Sequence, residues 1–276
     1  MKTAKYSSIN LEVEHERQEC ADPKSYFLHA HDYFEICYFL EGNAIYHIEG
    51  NEYPISPGDI ILLRPGEAHY IQVYAQVPFE RILLSFGQRF IEAIDPDHSL
   101  RSPFFNRALG YKNLYRPTDF IGLNLQQHLN QLTESTNRVQ IIKSLLDFLQ
   151  ELNLAFAKMQ DYEQLTETLE DRIIRLITDE YHLKLSLQDL ADRFFVSRTQ
   201  LYRRFKLATG VSIGKYITVK RLTAARDLIL QGRKVSDVSV MCGFQDYSTF
   251  YRSYTRYFGH SPQAERKRNY HTQEHP

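Results

Sequence analysis

The chain of 276 residues has no tryptophan and only three cysteines, Cys20, Cys37 and Cys242. The cysteine count is odd and no two cysteines stand three positions apart, so the sequence predicts neither a disulfide framework nor a zinc knuckle. No apolar run approaches the length of a membrane-spanning helix, and the polar segment Met1 to Asn10 lacks the apolar core of a signal peptide. We therefore expect a cytoplasmic protein with no membrane partner.

The formal net charge of −1 hides a division of charge along the chain. From Arg172 to the C-terminus there are 19 basic and 9 acidic residues, whereas the preceding part holds 14 basic and 25 acidic ones. A chain of this length can form two domains with cores of their own. A basic segment of this size is the electrostatic footprint of a nucleic-acid partner. A merely solvated surface is the alternative, but it does not explain why the charge coincides with the motif described next.

The segment Leu187 to Phe205 reads as a helix-turn-helix. Apolar residues recur at helical spacing from Leu187 to Phe195, including Phe194. Ser197 suits the N-cap of a second helix, in which Leu201 and Phe205 form one buried face. The polar and cationic residues of that helix are left for its exposed faces, as reading of the DNA major groove requires.

The same pattern recurs 48 to 49 residues later in the sequence. At an offset of 48, Asp189-Leu190-Ala191 matches Asp237-Val238-Ser239. At an offset of 49, the matching pairs are Ser197 and Asp246, Leu201 and Phe250, Arg203 and Arg252, Phe205 and Tyr254, and Gly210 and Gly259. The change of offset places one extra residue in the second turn, within Gly243-Phe244-Gln245. A single motif of this kind is more often an ordinary helical hairpin, but two copies in register favour a DNA-binding domain.

The C-terminal part resembles the AraC/XylS family of bacterial transcription regulators from about Thr168 to Arg268. The resemblance rests on S-L-Q-D-L-A near Ser186, S-R-T-Q-L-Y-R-R-F-K from Ser197, T-G-V-S near Gly210, K-R-L-T-A-A-R-D-L-I-L from Lys220, G-F-Q-D-Y-S-T-F-Y-R from Gly243 and Y-F-G-H-S-P from Tyr257. Two positions depart from the family pattern: Ser239 replaces an alanine, and Glu265 replaces an aromatic residue.

The resemblance implies two recognition helices, joined by a long helix at Lys215 to Leu230, that enter successive major grooves about 34 Å apart. The candidate DNA-binding residues are Ser197, Arg198, Thr199, Gln200, Tyr202, Arg203, Arg204, Asp246, Tyr247, Ser248, Thr249 and Arg252. The best candidates for base reading are Arg198, Thr199, Tyr202, Arg203, Tyr247, Ser248, Thr249 and Arg252. We expect one of Arg203 and Arg204 to contact phosphate or form a surface ion pair instead, and Tyr202 and Tyr251 equally suit packing.

The N-terminal part predicts a different architecture. Met1 to Asp22 is polar and acidic and is interpreted as a flexible arm. From Tyr26, short aromatic and branched runs alternate with turn signals, which is typical of a β-barrel or sandwich. Ile94 to Asp119 is predicted to be a long connection.

Two helices follow, at Phe120 to Thr133 and Arg138 to Met159. The second carries a wide apolar stripe that packs either on the barrel or on its copy in a homodimer. Thr168 to Tyr181 is the first helix of the DNA-binding part. The predicted fold is two-domain α+β: a cupin-like barrel with flanking helices, followed by an all-α domain of two helix-turn-helix units joined by a long helix. The domains are 1–160 (barrel about 24–93, helices about 119–160), a linker at 161–167, and 168–270.

A second resemblance covers about Tyr26 to Phe86. The residues His29-x-His31-x3-Glu35-x6-Gly42, then Gly58 and Arg64-Pro65-Gly66-x2-His69, are similar to the two cupin motifs. The resemblance implies a divalent metal (Zn, Mn, Fe or Ni) held by His29, His31, Glu35 and His69. On one extended strand His29, His31 and Glu35 point to the same face, and imidazole and carboxylate suit such ions. Arg64, Pro65 and Val73 depart from the second motif.

Regulators of this family often keep these residues while the barrel binds a small molecule and no metal. The candidate effector-binding residues are therefore His29, His31, Tyr33, Glu35, Tyr46, Arg64 and His69, and a sugar or related metabolite is the expected effector.

We interpret the protein as an effector-controlled, sequence-specific transcription regulator and not an enzyme. It is expected to be bacterial and homodimeric, nucleoid-associated when bound to double-stranded DNA, with RNA polymerase as a further partner. Two alternatives remain open at this point: a metal-dependent cupin enzyme fused to a DNA-binding domain, and a regulator whose barrel only dimerises.

Overall fold

The computed structural model describes residues 2–8, 11–20, 27–74, 77–135, 137–159 and 168–265 of the chain. Backbone contacts divide the chain into two compact units. The first unit comprises Met1–Phe27, Tyr33–Ile48 and Glu52–Thr166, and the second comprises Leu28–Asp32, Glu49–Asn51 and Glu167–Pro276. The first unit contains the β-sheets and the second is helical, which confirms the predicted fold class. None of the described helices combines the length and apolar character needed to cross a membrane.

The first unit is built on two β-sheets. The larger has the strand order β1-β2-β8-β3-β6-β9, and the smaller has the order β5-β4-β7. The strands are, in chain order, β1 Lys2–Ser8, β2 Leu11–Gln18, β3 Tyr33–Glu41, β4 Ala44–Ile48, β5 Asn51–Ile55, β6 Ile60–Leu63, β7 His69–Val73, β8 Phe79–Gly87 and β9 Leu114–Tyr115.

Strand β3 is apolar on both faces because the larger sheet separates two cores. Phe34 and Ile36 belong to an outer core that the sheet shares with helices. Cys37 and Phe39 belong to an inner core that contains residues of both sheets, such as Tyr46 of β4. Successive side chains of a strand point to opposite faces, so the alternate residues of β3 serve the two cores in turn.

The helices of the first unit are α1 Gln88–Glu92, α2 Ser102–Phe105, α3 Leu125–Glu134 and α4 Arg138–Met159. Helix α4 has the predicted bounds. Its apolar stripe lies in the outer core, where Leu145, Phe148 and Leu149 are each 0% exposed. Of the two alternatives for this stripe, packing on the sheet is the one that the structure contains, and these side chains have no surface left for a partner copy.

The prediction of a flexible N-terminal arm is wrong for the strands β1 and β2. Strand β2 pairs antiparallel with β8 along its whole length, from Leu11 opposite Phe86 to Gln18 opposite Phe79. Leu11 and Val13 are buried in the outer core. The intervening glutamates point to the other face, so the segment appears polar although it alternates as a half-buried strand does.

The predicted long connection at 94–119 is ordered by a buried ion pair. Arg107 donates to both carboxylate oxygens of Glu67, over 2.8 Å each, and both side chains are 0% exposed. Asn113 donates to the same carboxylate over 3.0 Å, and the backbone N–H of Gly110 donates over 2.8 Å. Besides α2 and β9, this stretch contains short 3-10 helices at Ser99–Arg101 and Pro117–Phe120.

The second unit contains the helices α5 Leu169–Glu180, α6 Leu187–Arg193, α7 Arg198–Thr209, α8 Ile213–Leu230, α9 Val235–Met241 and α10 Tyr247–Phe258. Hydroxyl side chains cap most of their N-termini. Thr168, Ser186, Ser197 and Ser212 each accept a hydrogen bond from a backbone N–H of the first turn. The cap at Ser212 starts the long connecting helix slightly before the predicted Lys215.

The first helix-turn-helix departs from the prediction at its turn. Helix α6 ends at Arg193, so Phe194 and Phe195 do not continue its apolar face. Phe194 is half-buried, with the Arg172 guanidinium 5.3 Å from its ring centre. Phe195 has φ 55° and is 95% exposed. The left-handed residue ends the helix, because Val196 N–H then donates back to the carbonyl of Ala191.

Candidate nucleic-acid interface and effector site

The two recognition helices, α7 and α10, begin and end in the same way. Ser197 caps α7 by accepting from the N–H of Gln200 over 3.2 Å, and Asp246 caps α10 by accepting from the N–H of Thr249 over 2.7 Å. Each helix ends at a glycine in the left-handed conformation, Gly210 with φ 73° and Gly259 with φ 75°. These two glycines occupy equivalent positions in the sequence repeat. The predicted repeat is therefore a repeat of local geometry.

All twelve predicted DNA-binding residues are exposed. Their opposite faces are buried: Leu201 and Phe205 in the first copy, Phe250 and Tyr254 in the second. A helix with one buried apolar face and an exposed polar face can lie in a major groove without losing its support.

The side chains of Arg203 and Arg204 have different surroundings, which distinguishes between their two predicted roles. Arg204 forms a two-pronged ion pair with Glu170 of α5, with N–O distances of 2.6 and 2.9 Å. Arg203 forms no ion pair within the described part of the second unit and is exposed. Arg203 is thus the residue of the two whose guanidinium is available to bases. Tyr202 is 43% exposed and has the Lys206 ammonium 5.8 Å from its ring centre.

The second copy uses some of its predicted residues for its own structure. The Thr249 hydroxyl donates to the Asp246 carboxylate over 2.8 Å, which places both groups in the cap. The hydroxyl of Tyr247 accepts a hydrogen bond from Gln263. Arg252 donates through Nε to the carbonyl of Ser248 over 3.3 Å, and its side chain remains exposed.

The connection between α5 and α6 holds the two copies together. Arg221 of α8 donates to the carbonyls of Tyr181 and Leu183, over 2.7 and 2.8 Å. Between them, the backbone of His182 lies against Gly243, which stands two residues after the end of α9. A Cβ on Gly243 would stand 2.4 Å from the His182 carbonyl oxygen, so only glycine fits at this contact.

In the first unit, a polar cluster is buried within the inner face of the larger sheet. Arg81 donates through Nε to Glu16 over 2.9 Å and through Nη1 to the Tyr46 hydroxyl over 2.8 Å. Glu35 shares the face of Cys37 on β3 and interacts electrostatically with Arg81 and Tyr46. We call Glu16, Glu35, Tyr46 and Arg81 the inner polar cluster.

Burial and charge act in opposite directions in this cluster. Burial disfavours the charged guanidinium, but Tyr46, Cys37 and the two carboxyl groups outweigh it and raise the pKa of Arg81 well above its ordinary value. Burial also raises the pKa of the Tyr46 hydroxyl, and it raises the pKa of the Cys37 thiol to about 11. The cluster and the adjacent Cys37 therefore hold one permanent cation beside a neutral hydroxyl group and a neutral thiol group.

The other candidate effector residues lie elsewhere. In the first unit, His69 is buried at the start of β7, with its Nδ1 2.8 Å from the carbonyl oxygen of Glu67. His29 and His31 belong to the second unit. Imidazole nitrogens suit a borderline divalent ion. Arg64 is half-buried and donates to the carbonyl of Phe104 over 3.5 Å.

Sequence reasoning missed Glu16 and Arg81. A charged residue inside a strand is usually taken to face water, and Glu16 stood in a segment interpreted as an arm. The available signal was the alternation from Leu11 onward, which places Glu16 opposite the face of Leu11 and Val13. Because Arg81 pairs with Glu16 across the sheet, recognising one as inward-facing would have indicated the other.

Comparison with known proteins agrees with both halves of this description. A family model described as an AraC-like ligand binding domain matches residues 14–152, and one described as a helix-turn-helix domain matches residues 190–268. The chain is 25% identical over 265 residues to the Msm operon regulatory protein of Streptococcus mutans, covering 95% of this chain and 94% of that protein. It is 24% identical over 257 residues to the HTH-type transcriptional activator RhaS of Escherichia fergusonii, covering 87% of each.

Among solved structures, ToxT from Vibrio cholerae O395 is similar at 16% identity with a TM-score of 0.41, over 95% of this chain and 98% of that one. The matched family models and the paired helix-turn-helix units define a DNA-binding transcription regulator with an N-terminal ligand-binding domain. The chain belongs to the AraC family.

Proposed function

We propose that this regulator responds to an uncharged, hydroxyl-rich effector, a sugar or related polyol, bound at the inner polar cluster of the first unit. The observation that carries the proposal is the burial of Glu16, Glu35 and Arg81 on the same face of the larger sheet as the apolar inner core. Burying charged groups is costly, and a cluster of them in a barrel interior is therefore a candidate binding site.

The chemistry of the cluster selects among effector classes. Carboxylates accept hydrogen bonds from sugar hydroxyls, and a guanidinium donates to hydroxyl oxygens. An anionic effector would meet two carboxyl groups for a single guanidinium, which already donates to Glu16 and Tyr46. A neutral polyol exchanges such bonds for bonds of the same kind and adds no charge. The names of the Msm operon and RhaS proteins do not define this chain's effector, so the panel tested must be broad.

We expect Glu35→Gln to weaken effector binding by about 10-fold or more, because hydrogen bonds to a charged group contribute roughly 1.5–3 kcal/mol. A thermal-shift screen against sugars, polyols and organic acids identifies the effector, since a ligand at about 100 times its Kd adds roughly 2.7 kcal/mol of stability. Isothermal titration then compares the variants.

The matched control is Glu52→Gln, whose side chain is 62% exposed and lies outside the cluster. Binding of organic acids in place of sugars, or equal affinities for Glu35→Gln and the wild type, would contradict the proposed effector class.

A divalent metal at the four cupin-motif positions is a separate proposal. The residues that the cupin resemblance implies for it are His29, His31, Glu35 and His69, and a bound divalent ion would supply a Lewis-acidic contact for effector oxygens. Repeating the screen after chelation, with elemental analysis of the purified protein, tests it. An effector response that survives chelation, together with no bound metal, would make the barrel a metal-free sensor.

For DNA binding, we expect Arg203→Ala to cost roughly 1–3 kcal/mol and to relax the preference at one base position. We expect Arg204→Ala to change DNA affinity less, because its guanidinium is paired with Glu170. Duplexes selected from a randomised pool supply the operator, and gel-shift titrations of single-base variants give the preference. Equal weakening by Arg203→Ala on every sequence would assign that residue to phosphate.

A homodimer and contact with RNA polymerase also belong to the proposal. The dimer contact cannot use Leu145 or Leu149, which are buried. Helix α4 instead exposes Val139 (76%) and Leu154 (53%), so Leu154→Asp is the appropriate substitution for sedimentation measurements.

A further inference from the structure

Phe195 combines two unfavourable properties. Its φ of 55° lies in the left-handed region, where a bulky side chain is a rare outlier. Its ring is 95% exposed, so the residue gains almost nothing from burial. Neither the backbone nor the core of the second unit accounts for a phenylalanine at this position.

The second copy of the motif shows what this position requires. Phe195 corresponds to Gly243, which has φ 80°. The hydrogen bonds correspond as well: Phe195 N–H to Asp192 and Val196 N–H to Ala191 in the first copy, matching Gly243 N–H to Val240 and Phe244 N–H to Ser239 in the second. The same turn is thus made with glycine in one copy and with phenylalanine in the other. Backbone strain at a residue that does not contribute to packing indicates that the residue has a function.

The ring lies at the edge of the DNA-reading surface. Phe195 precedes Ser197, the N-cap of α7, by two residues, and the exposed side chains of Arg198, Thr199 and Gln200 follow directly. In a helix-turn-helix the N-terminal end of the recognition helix points into the major groove. The turn before it therefore faces the sugar–phosphate wall that borders the groove.

We propose that Phe195 is a DNA-contact residue whose ring packs on the deoxyribose of the backbone beside the first recognition helix. Deoxyribose offers the apolar surface that a ring can cover, and it is the same for every base. The contact therefore strengthens binding to all sequences alike. It releases no counterions, so it does not change the salt dependence of binding as a phosphate contact does. The proposal depends on DNA binding alone and not on the effector.

The test uses the full-length protein and a duplex of mixed sequence, because a contact to the backbone needs no operator. Fluorescence anisotropy at several salt concentrations compares the wild type with Phe195→Gly, Phe195→Tyr and the control Leu207→Ala. Leu207 is 83% exposed near the other end of α7. We expect Phe195→Gly to weaken binding about 5- to 20-fold at every salt concentration, as loss of part of an aromatic contact implies.

The slope of log Kd against log salt should stay unchanged in Phe195→Gly, and its Tm should not fall, since glycine relieves the strain. Phe195→Tyr and Leu207→Ala should bind like the wild type. An unchanged DNA affinity of Phe195→Gly would overturn the proposal and would indicate that the ring contacts a protein partner instead. A shallower salt slope would show that Phe195 acts by positioning cationic neighbours against phosphate, and a lower Tm would show a structural role; either result also overturns the proposal.

Discussion

Replacing Glu67 with glutamine is expected to lower the free energy of unfolding of the first unit by about 3–5 kcal/mol, the usual cost of breaking a buried ion pair from one side. The Glu67 carboxylate accepts five hydrogen bonds: from both Nη atoms of Arg107, from the Asn113 amide and from the backbone N–H groups of Arg64 and Gly110. An amide turns one of these acceptors into a donor and leaves the Arg107 guanidinium buried and uncompensated. The stretch from α2 to β9 should loosen first, because Arg107 and Asn113 both belong to it.

The ion pair of Glu67 and Arg107 also predicts how the stability of the protein depends on pH. Burial would raise the pKa of Glu67, but the Arg107 guanidinium outweighs it and lowers the pKa from 4.5 to about 2. A carboxyl group whose pKa is lower in the folded state stabilises the protein above its unfolded pKa, and this contribution is lost as the pH falls. The wild type should therefore lose stability between about pH 4.5 and 2, on the order of 3 kcal/mol from this group.

Urea unfolding of both proteins at pH 7 and between pH 5 and 2 tests these expectations. The exposed Glu134 on α3 provides the control Glu134→Gln, which should behave like the wild type at every pH. An acid-induced loss of the same size in Glu67→Gln and the wild type would show that this pair does not carry the pH dependence.

Gly243→Ala is expected to have the second large effect, about 3–5 kcal/mol of destabilisation with loss of DNA binding. The added Cβ would stand 2.4 Å from the His182 carbonyl oxygen and 2.8 Å from its carbonyl carbon. These are backbone atoms, which cannot rotate away as a side-chain end can. The left-handed φ of 80° adds its own cost.

Gly259→Ala separates the two costs. Gly259 has nearly the same φ, 75°, but an added Cβ would have nothing within 4 Å. It should cost only about 1–2 kcal/mol, the left-handed penalty alone, and leave DNA binding intact. Thermal unfolding and anisotropy with a duplex measure both variants. Equal losses for the two alanines would mean that His182 yields to the new methyl group and that the close approach is not needed.

The sequence predicted the structure best in segments where one local pattern dominates. The repeated helix-turn-helix units and the bounds of α4 follow from helical spacing and capping, and neither requires knowledge of distant neighbours. The N-terminal strand β2 was missed because its partner, β8, lies far along the chain. The acidic residues between Leu11 and Gln18 hid an alternation that pairing with β8 makes meaningful.

Two polar residues show why packing at single positions was harder to predict. Glu265, where the family pattern has an aromatic residue, is 4% exposed and accepts hydrogen bonds from Arg226 over 3.3 Å and from Tyr254 over 3.2 Å. Arg107 likewise lies in a stretch without periodicity but is central to a buried network. The hydrogen-bond partners of such residues are distant in the sequence or lie in stretches without a pattern, so they can be identified only in the folded chain. The effector candidates Glu35 and Tyr46 came from motif and composition, whereas Glu16 and Arg81 needed the sheet register.

The contact of His182 with Gly243, together with the bonds from Arg221 to the same connection, links the two helix-turn-helix units to each other. We expect units linked in this way to read two sequences at a fixed separation along the duplex. Adding roughly 5 base pairs, about half a helical turn, between the two sequences they read would turn the second sequence to the far side of the DNA. We therefore expect operators for this protein to be constrained in spacing as well as in sequence, so that insertions or deletions altering no contacted base change the response of a promoter.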